Sequence, residues 1–306
     1  MPPERGGRTI VSQELPAPAH RVSPVGLPAA YRLPPRPAGE GVDQQVADAR
    51  RQSSFVLGED VRLFERGMNL QMDVLRDSHP VRYRTHALAA LVMQWSRAYA
   101  YERDAFELAL HGSYISALPL LRAAAECLAA QMGLHRGDLP EFEAWLGGVG
   151  LPQSALHAVQ VPLGRYRSSA SIADDARLGP IYRATADLAN THFGSSLLQV
   201  GPESNQQKLA LAFGDRAFHL GWAEVVFGWA LGLVSRQLTF ACEAHDVLNI
   251  GDERRSEVES YASAVAGALE RPDRCAIMEI EHEGERRLLV HNFRRAPGSA
   301  GRRILL

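Results

Sequence analysis

Lysine is almost missing from this chain: of 33 basic residues only Lys208 is lysine, and all others are arginine. Arginine keeps its proton and forks onto carboxylate or phosphate, but a bias this general reflects GC-rich coding, as in a high-GC bacterium, more than any one site. Cysteine is scarce as well. Cys127, Cys242 and Cys275 lie far apart and form no CxxC, which excludes a disulfide framework and a structural zinc site. Long apolar runs are lacking too. The longest uncharged one, 225–234, has ten residues, whereas crossing a bilayer takes about 18 or more. The first 30 residues hold no continuous apolar core, so no secretory signal is read. A cytoplasmic location without a membrane partner is the expectation. Charge of one sign is also absent: the formal net charge is −2, so no global field draws in nucleic acid, although a local basic patch remains compatible with it. Neither GxxxxGK[ST] nor GxGxxG occurs, and there is no GxSxG elbow, HExxH or kinase set. These absences remove the commonest nucleotide-hydrolysing, esterase and metalloprotease readings. No cofactor and no metal site are expected.

What is present is the composition of a folded globular chain, 46% hydrophobic and 22% charged over 306 residues. Residues 1–40 hold nine of the 18 prolines. Such a segment forms neither helix nor ladder and buries too little to offset its ordering entropy, so 1–41 reads as a disordered or extended arm. Within it, PPRP at 34–37 resembles a short polyproline ligand. The organising stretch is 87–132, two long helical patterns joined at His111-Gly112-Ser113. Gly112 suits a left-handed closing residue and Ser113 an N-cap. Tyr114, Leu118, Leu121, Ala125, Leu128 and Met132 recur at helical spacing and define one apolar face.

Helices are expected over 46–57 and, capped by Asp60, over 61–76, where Ser78-His79-Pro80 stops the second. Asp138 suits the cap of a short helix after the hairpin, and 178–192 reads as helical again. The run 208–213 reads as a short strand. The strongest single helix spans about 218–247, apolar on its main face and on its back, which marks a central helix covered on both sides. A polar-rich helix then ends at Arg271-Pro272, and two β-prone runs surround Glu283-Gly284 as a hairpin that needs a surface to pack on. The last residues, 294–306, read as loose.

Several side chains could carry chemistry. Arg122 and Glu126 form an i,i+4 pair beside the apolar face, either a helix–helix clamp or the anchor of a polar ligand pocket. Tyr182 and His192 could place a phenol and an imidazole on one surface, an acid–base pairing if they face a cleft; the alternative is a helix-end histidine on the C-terminal dipole. His111 holds the same kind of helix-end position. Arg236 shares a face with Glu243 and should reach a buried carboxylate of another helix, Glu126 being one candidate. His282 and His291 could face each other across the hairpin and hold a metal, or simply decorate a charged, exposed one.

The segment HGSYISALPLLRAAAECLAAQ followed by YRATADLANTHF, within 99–193, resembles bacterial all-helical families related to the HEPN superfamily. There, a core helix carries LLR-x-x-x-E and a later helix a tyrosine followed by histidine. The resemblance implies a HEPN-like scaffold. HEPN ribonucleases place an arginine four to six residues before a histidine, whereas Arg103/His111, Arg183/His192 and Arg236/His245 are separated by seven, eight and eight residues. The expectation is one mainly α-helical domain, a helical bundle over 42–271, with the arm before it and a small β-hairpin and tail over 272–306. Its function reads first as a non-catalytic helical interaction module, with a homodimer through an exposed helix face as a partner class. The alternative is a HEPN-like protein acting on nucleotide or RNA through Arg122, Glu126, Tyr182 and His192, with Arg236 a further ligand-binding candidate.

Overall fold

In a computed structural model of the chain, the described residues are 26–37, 39–78, 86–137, 172, 175–190, 196, 207, 208, 210 and 213–306. The helix expected after Asp138, His192, and half of the strand expected over 208–213 lie outside them. The fold is mainly helical: α1 (Gln44–Val56), α2 (Gly58–Asp77), α3 (His86–Leu110), α4 (Tyr114–Arg136), α5 (Leu178–Ala189), α6 (Leu220–Glu243) and α7 (Asp252–Leu269). A small antiparallel sheet follows, β1 (Ala276–His282), β2 (Glu285–His291) and β3 (Ile304–Leu305), in the order β1-β2-β3.

The central element is α6, which packs against α2, α3, α4, α5, α7 and β1. It is also the one helix among the described residues long and apolar enough to cross a membrane, yet most of it is buried by the other elements. Its Phe227 stacks on Phe106 of α3 at 4.3 Å between ring centroids, and Phe106 stacks on Phe64 of α2 at 3.8 Å. On its α4 side Gln237 and Gln131 exchange hydrogen bonds through their amides, at 2.7 and 2.8 Å, so neither buried amide is left unpaired. The six apolar residues named on α4 are all buried.

Three expectations need correction. Asp60 is not a cap: it lies within the first turn of α2, fully buried, with Oδ2 2.7 Å from the Arg274 guanidinium. A cap carboxylate faces water, and this one is drawn inward because Arg274 itself is buried. The last residues are not loose. Ile304 and Leu305 pair with Val290 and Leu289, and Leu306 exchanges backbone hydrogen bonds with Leu288, giving the two-stranded hairpin the third strand that such units need. His282 and His291 do not face each other, because the register pairs His282 with Glu285 and His291 with Ala276 at opposite ends of the ladder. The expected turn is there, with Glu283 at φ +55 and Gly284 at φ +78, as a two-residue hairpin turn requires. The sheet sits on the helices through buried Leu288, Val290 and Phe293, and Arg274 ties it to α6 by donating to the Glu224 carbonyl at 2.8 Å.

Residues 26–37 form neither helix nor ladder, as their prolines dictate. They are extended and lie on α2 and α3, where Tyr31 is buried.

One buried group makes the core sensitive to pH. Glu102 of α3 is fully buried; Gln71 Nε2 donates to its Oε2 at 2.9 Å, and Trp95 Nε1 donates to Gln71 Oε1 at 2.6 Å. Burial pushes the Glu102 carboxyl from 4.5 to about 8, against a smaller opposing effect of the Gln71 hydrogen bond. The folded state therefore keeps a proton that the unfolded chain releases near pH 4.5. Stability should fall by about 1.4 kcal/mol per pH unit between roughly pH 5 and pH 8, with the loss complete above that window. Glu102→Gln mimics the protonated acid and should flatten this slope. Urea melts of both proteins across that range test it, and parallel profiles would rule Glu102 out as the titrating group.

Candidate functional site

The described residues enclose a cleft of about 370 Å³ where the α3–α4 turn, the start of α6 and the segment after β2 meet. This volume lies in the range of small-ligand sites. Gly112 makes the meeting possible. Its φ is +78, and a Cβ there would stand 1.9 Å from the Arg216 carbonyl oxygen, so the loop before α6 rests directly on the turn. Arg216 N–H donates to Gln45 Oε1 of α1 at 3.1 Å, fixing the loop from the other side.

The two helices that open at the cleft treat their first turns differently. In α6, Leu220 and Gly221 donate to the carbonyls of Arg295 and Arg294, and Trp222 N–H donates to His219 Nδ1 at 3.2 Å. Gly221 admits this close backbone: a Cβ would meet the Phe293 ring at 2.8 Å. In α4, Ser113 occupies the cap position as expected, yet its side chain makes no capping bond. The N–H groups of Tyr114, Ile115 and Ser116 accordingly have no partner among the described residues. Such free donors carry the positive end of the helix dipole.

The other lining groups are donors as well. His219 is buried, and because its Nδ1 accepts from Trp222 its proton sits on Nε2, which has no hydrogen-bond partner among the described residues. Burial first, and then the neighbouring Arg295, lower its pKa to about 4, so the ring is neutral at pH 7 and gives a hydrogen bond rather than taking a proton. Tyr114 Oη accepts from His219 N–H at 3.3 Å, and burial raises its pKa, leaving the hydroxyl proton to donate. Arg295 reaches Asp215 Oδ2 at 3.4 Å, while Asp215 Oδ1 accepts from Ala217 N–H. Arg216 is half-buried; its Nε is shielded from solvent with no acceptor, and its guanidinium pairs with no carboxylate among the described residues. The lining thus holds two guanidinium groups against one carboxylate that is already engaged.

None of Arg122, Glu126, Tyr182 and Arg236, singled out from the sequence as ligand or catalytic candidates, lines this cleft. Arg122, Glu126 and Tyr182 do come together, on the seam between α4 and α5. Arg122 Nε lies 3.3 Å from Glu126 Oε1, Nη2 is 3.5 Å from the Tyr182 hydroxyl, and the guanidinium stands 5.3 Å over the tyrosine ring. The pair is about two-fifths exposed, where ion pairs contribute little. Arg236 is buried, but its partners are Asp175 at 2.8 Å and Glu243 at 2.9 Å, not Glu126. Burial works to raise the Asp175 carboxyl, and the hydrogen bonds from Arg236 and the Leu178 and Arg177 N–H groups outweigh it, so its pKa is lowered. His192 lies outside the described residues. Among the described residues no group of three or more His, Cys, Asp or Glu side chains is placed to hold a metal.

The turn at Gly112-Ser113 was legible in the sequence; Arg216, His219 and Arg295 were not. They stand about 100 and 180 residues from the turn, and no spacing rule links positions that only the topology brings together. Comparison with protein-family models, curated proteins and solved structures finds no match for the chain.

Gly112→Ala tests the keystone. The added methyl meets a backbone carbonyl in a left-handed conformation, so it should cost about 2 kcal/mol or more in thermal or urea melts. A cost below about 0.5 kcal/mol would mean the loop is not seated on the turn.

Proposed function

We propose that this chain is a non-catalytic helical binding module whose cleft takes a small anionic ligand, with a phosphate or similar oxyanion as the recognised group. The observation that carries the reading is the unpaired Arg216 guanidinium lining the same cleft as three free N–H donors of α4. A cation held half out of water without a carboxylate is costly, and an anion relieves that cost. Helix-terminal N–H groups and arginine together are the chemistry that suits an oxyanion. Binding is favoured over proton-transfer catalysis because His219, with Nδ1 occupied, offers a donor and no free base.

In this reading the ligand's phosphate belongs to a nucleotide or a terminal RNA phosphate. The long α3–α4 hairpin supports the HEPN-like scaffold that the LLR-x-x-x-E motif suggested, although the contact point would be the cleft and not the Arg122, Glu126 and Tyr182 cluster. We also take the chain as a bacterial cytoplasmic protein. Its three cysteines are free thiols; burial pushes Cys127 up to about 11 and Cys275 up to about 12, which suits structural residues of a reducing compartment.

Thermal melts with inorganic phosphate and with a nucleoside monophosphate test the proposal. At a ligand concentration ten times the Kd, stabilisation should be about 1.4 kcal/mol. Arg216→Gln should keep the fold and weaken binding at least tenfold, and added chloride should weaken it in the parent. The reading fails if neither anion stabilises the parent, or if Arg216→Gln binds as tightly as the parent.

A further inference from the structure

The extended segment before α1 is held in the manner of a bound peptide. Tyr31 N–H donates to Asn69 Oδ1 at 2.9 Å, and Asn69 Nδ2 donates back to the Tyr31 carbonyl at 3.0 Å. One side-chain amide thus satisfies both main-chain groups of a residue, as an adjacent strand would, where only helices are at hand. The Tyr31 ring stands edge-on to Phe64 at 5.9 Å between centroids, and its hydroxyl donates to Glu107 Oε1 at 3.2 Å. Arg50 Nη2 donates to the Pro34 carbonyl at 3.2 Å. Leu27 and Leu33 pack on the same core, while Arg32 and Pro35 are exposed.

The groove does not depend on this segment for its shape. Phe64 is fixed from behind by its stack on Phe106, and Asn69 is oriented by a second hydrogen bond from Nδ2 to the Glu65 carbonyl at 2.8 Å. Between the segment and α1, Gly39 and Gly41 take φ +113 and +82, with no neighbour within reach of a Cβ. They are an open hinge. The prolines stiffen the segment in an extended form and so lower the entropy lost on docking.

We propose that the groove formed by Phe64, Asn69, Glu107 and Arg50 is a recognition site for an extended Tyr-x-Leu-Pro segment of a partner protein, and that residues 27–34 occupy it as a tethered competitor. The partner's chemistry is read from the resident: a tyrosine whose hydroxyl can donate to Glu107, a leucine two residues on, and a proline after it. Tethering supplies a high effective concentration, of the order of millimolar for a short flexible link, so the partner must outcompete it. This proposal stands apart from the anion cleft.

A fluorescein-labelled peptide of residues 26–37, titrated with the full chain and read by fluorescence anisotropy, tests it. The full-length Tyr31→Ala variant has a weakened competitor and an intact groove. It should bind the peptide saturably at one site, at least tenfold more tightly than the parent does. Replacing the peptide's tyrosine with alanine, or adding Asn69→Ala to the protein, should cost at least tenfold. The proposal is overturned if folded Tyr31→Ala does not bind, or binds equally well with Asn69→Ala added. Should Tyr31→Ala fail to fold, a protease site between Gly39 and Gly41 gives a nicked chain with every groove residue intact. Exchange of its cut segment for the labelled peptide is then expected, and no exchange overturns the proposal.

Discussion

A helix with no polar face is tenable in water only if every side of it is covered, and α6 is such a helix. That constraint arranges the rest of the molecule. The α3–α4 hairpin covers one side, α2 and α7 another, and the C-terminal sheet closes what remains near β1. Apolar coverage alone would let these neighbours slide, since packing is weakly directional. Direction comes from a few buried polar pins whose loss would strand a partner: the Gln131–Gln237 amide pair, the Trp95–Gln71–Glu102 chain, and Arg274 between Asp60 and Glu224. The aromatic stack through Phe64, Phe106 and Phe227 sets the spacing of three helices at once.

The cleft follows from how the helix ends are satisfied. Backbone from residues 294 and 295 reaches the first turn of α6 only because Gly221 lets it approach, and the His219 ring caps what is left. The same approach carries Arg295 to the cleft. At α4 no strand arrives. The hairpin turn is too tight for one, and the Arg216 carbonyl already presses on Gly112. The free donors of α4 are thus the consequence of a compact turn, and the loop that compacts it brings Arg216 beside them.

Much of this fold could be read from the residues, because burial writes itself into periodicity. The α4 face, the all-round apolarity of α6 and the turn at Glu283-Gly284 each rest on neighbours within a few positions. What escaped notice depends on partners distant in the chain. Asp60 looks like a cap until Arg274, more than 200 residues later, proves to be buried against it. Ile304 and Leu305 look loose because a two-residue strand has no alternation to display. Arg236 called for a buried carboxylate on another helix; it meets instead the partly buried Asp175, in the turn before α5. The candidate site suffered most, for Arg216, His219 and Arg295 form no motif. The proline-rich stretch was rightly read as neither helix nor ladder over 26–37, but composition cannot say that Asn69 would complete one of its residues.

The charges inside the molecule separate structure from site. Arg236, Arg274 and Arg294 each meet a carboxylate, and Arg50 gives its hydrogen bonds to the Pro34 carbonyl and the Ser54 hydroxyl. Glu102 meets no cation among the described residues and resolves the conflict differently, since burial holds it in its protonated, uncharged form. Arginine has no such escape, because its guanidinium does not release its proton in a protein. A half-buried arginine with no carboxylate among the described residues can take an acceptor from outside the chain. Arg216 Nε is shielded from solvent, so an outside acceptor meets the rest of the guanidinium, beside the uncapped first turn of α4. A net charge of −2 gives no hint of this, because it sums over pairs that have already cancelled. At the cleft itself the local balance is positive, with Arg216 and Arg295 against Asp215.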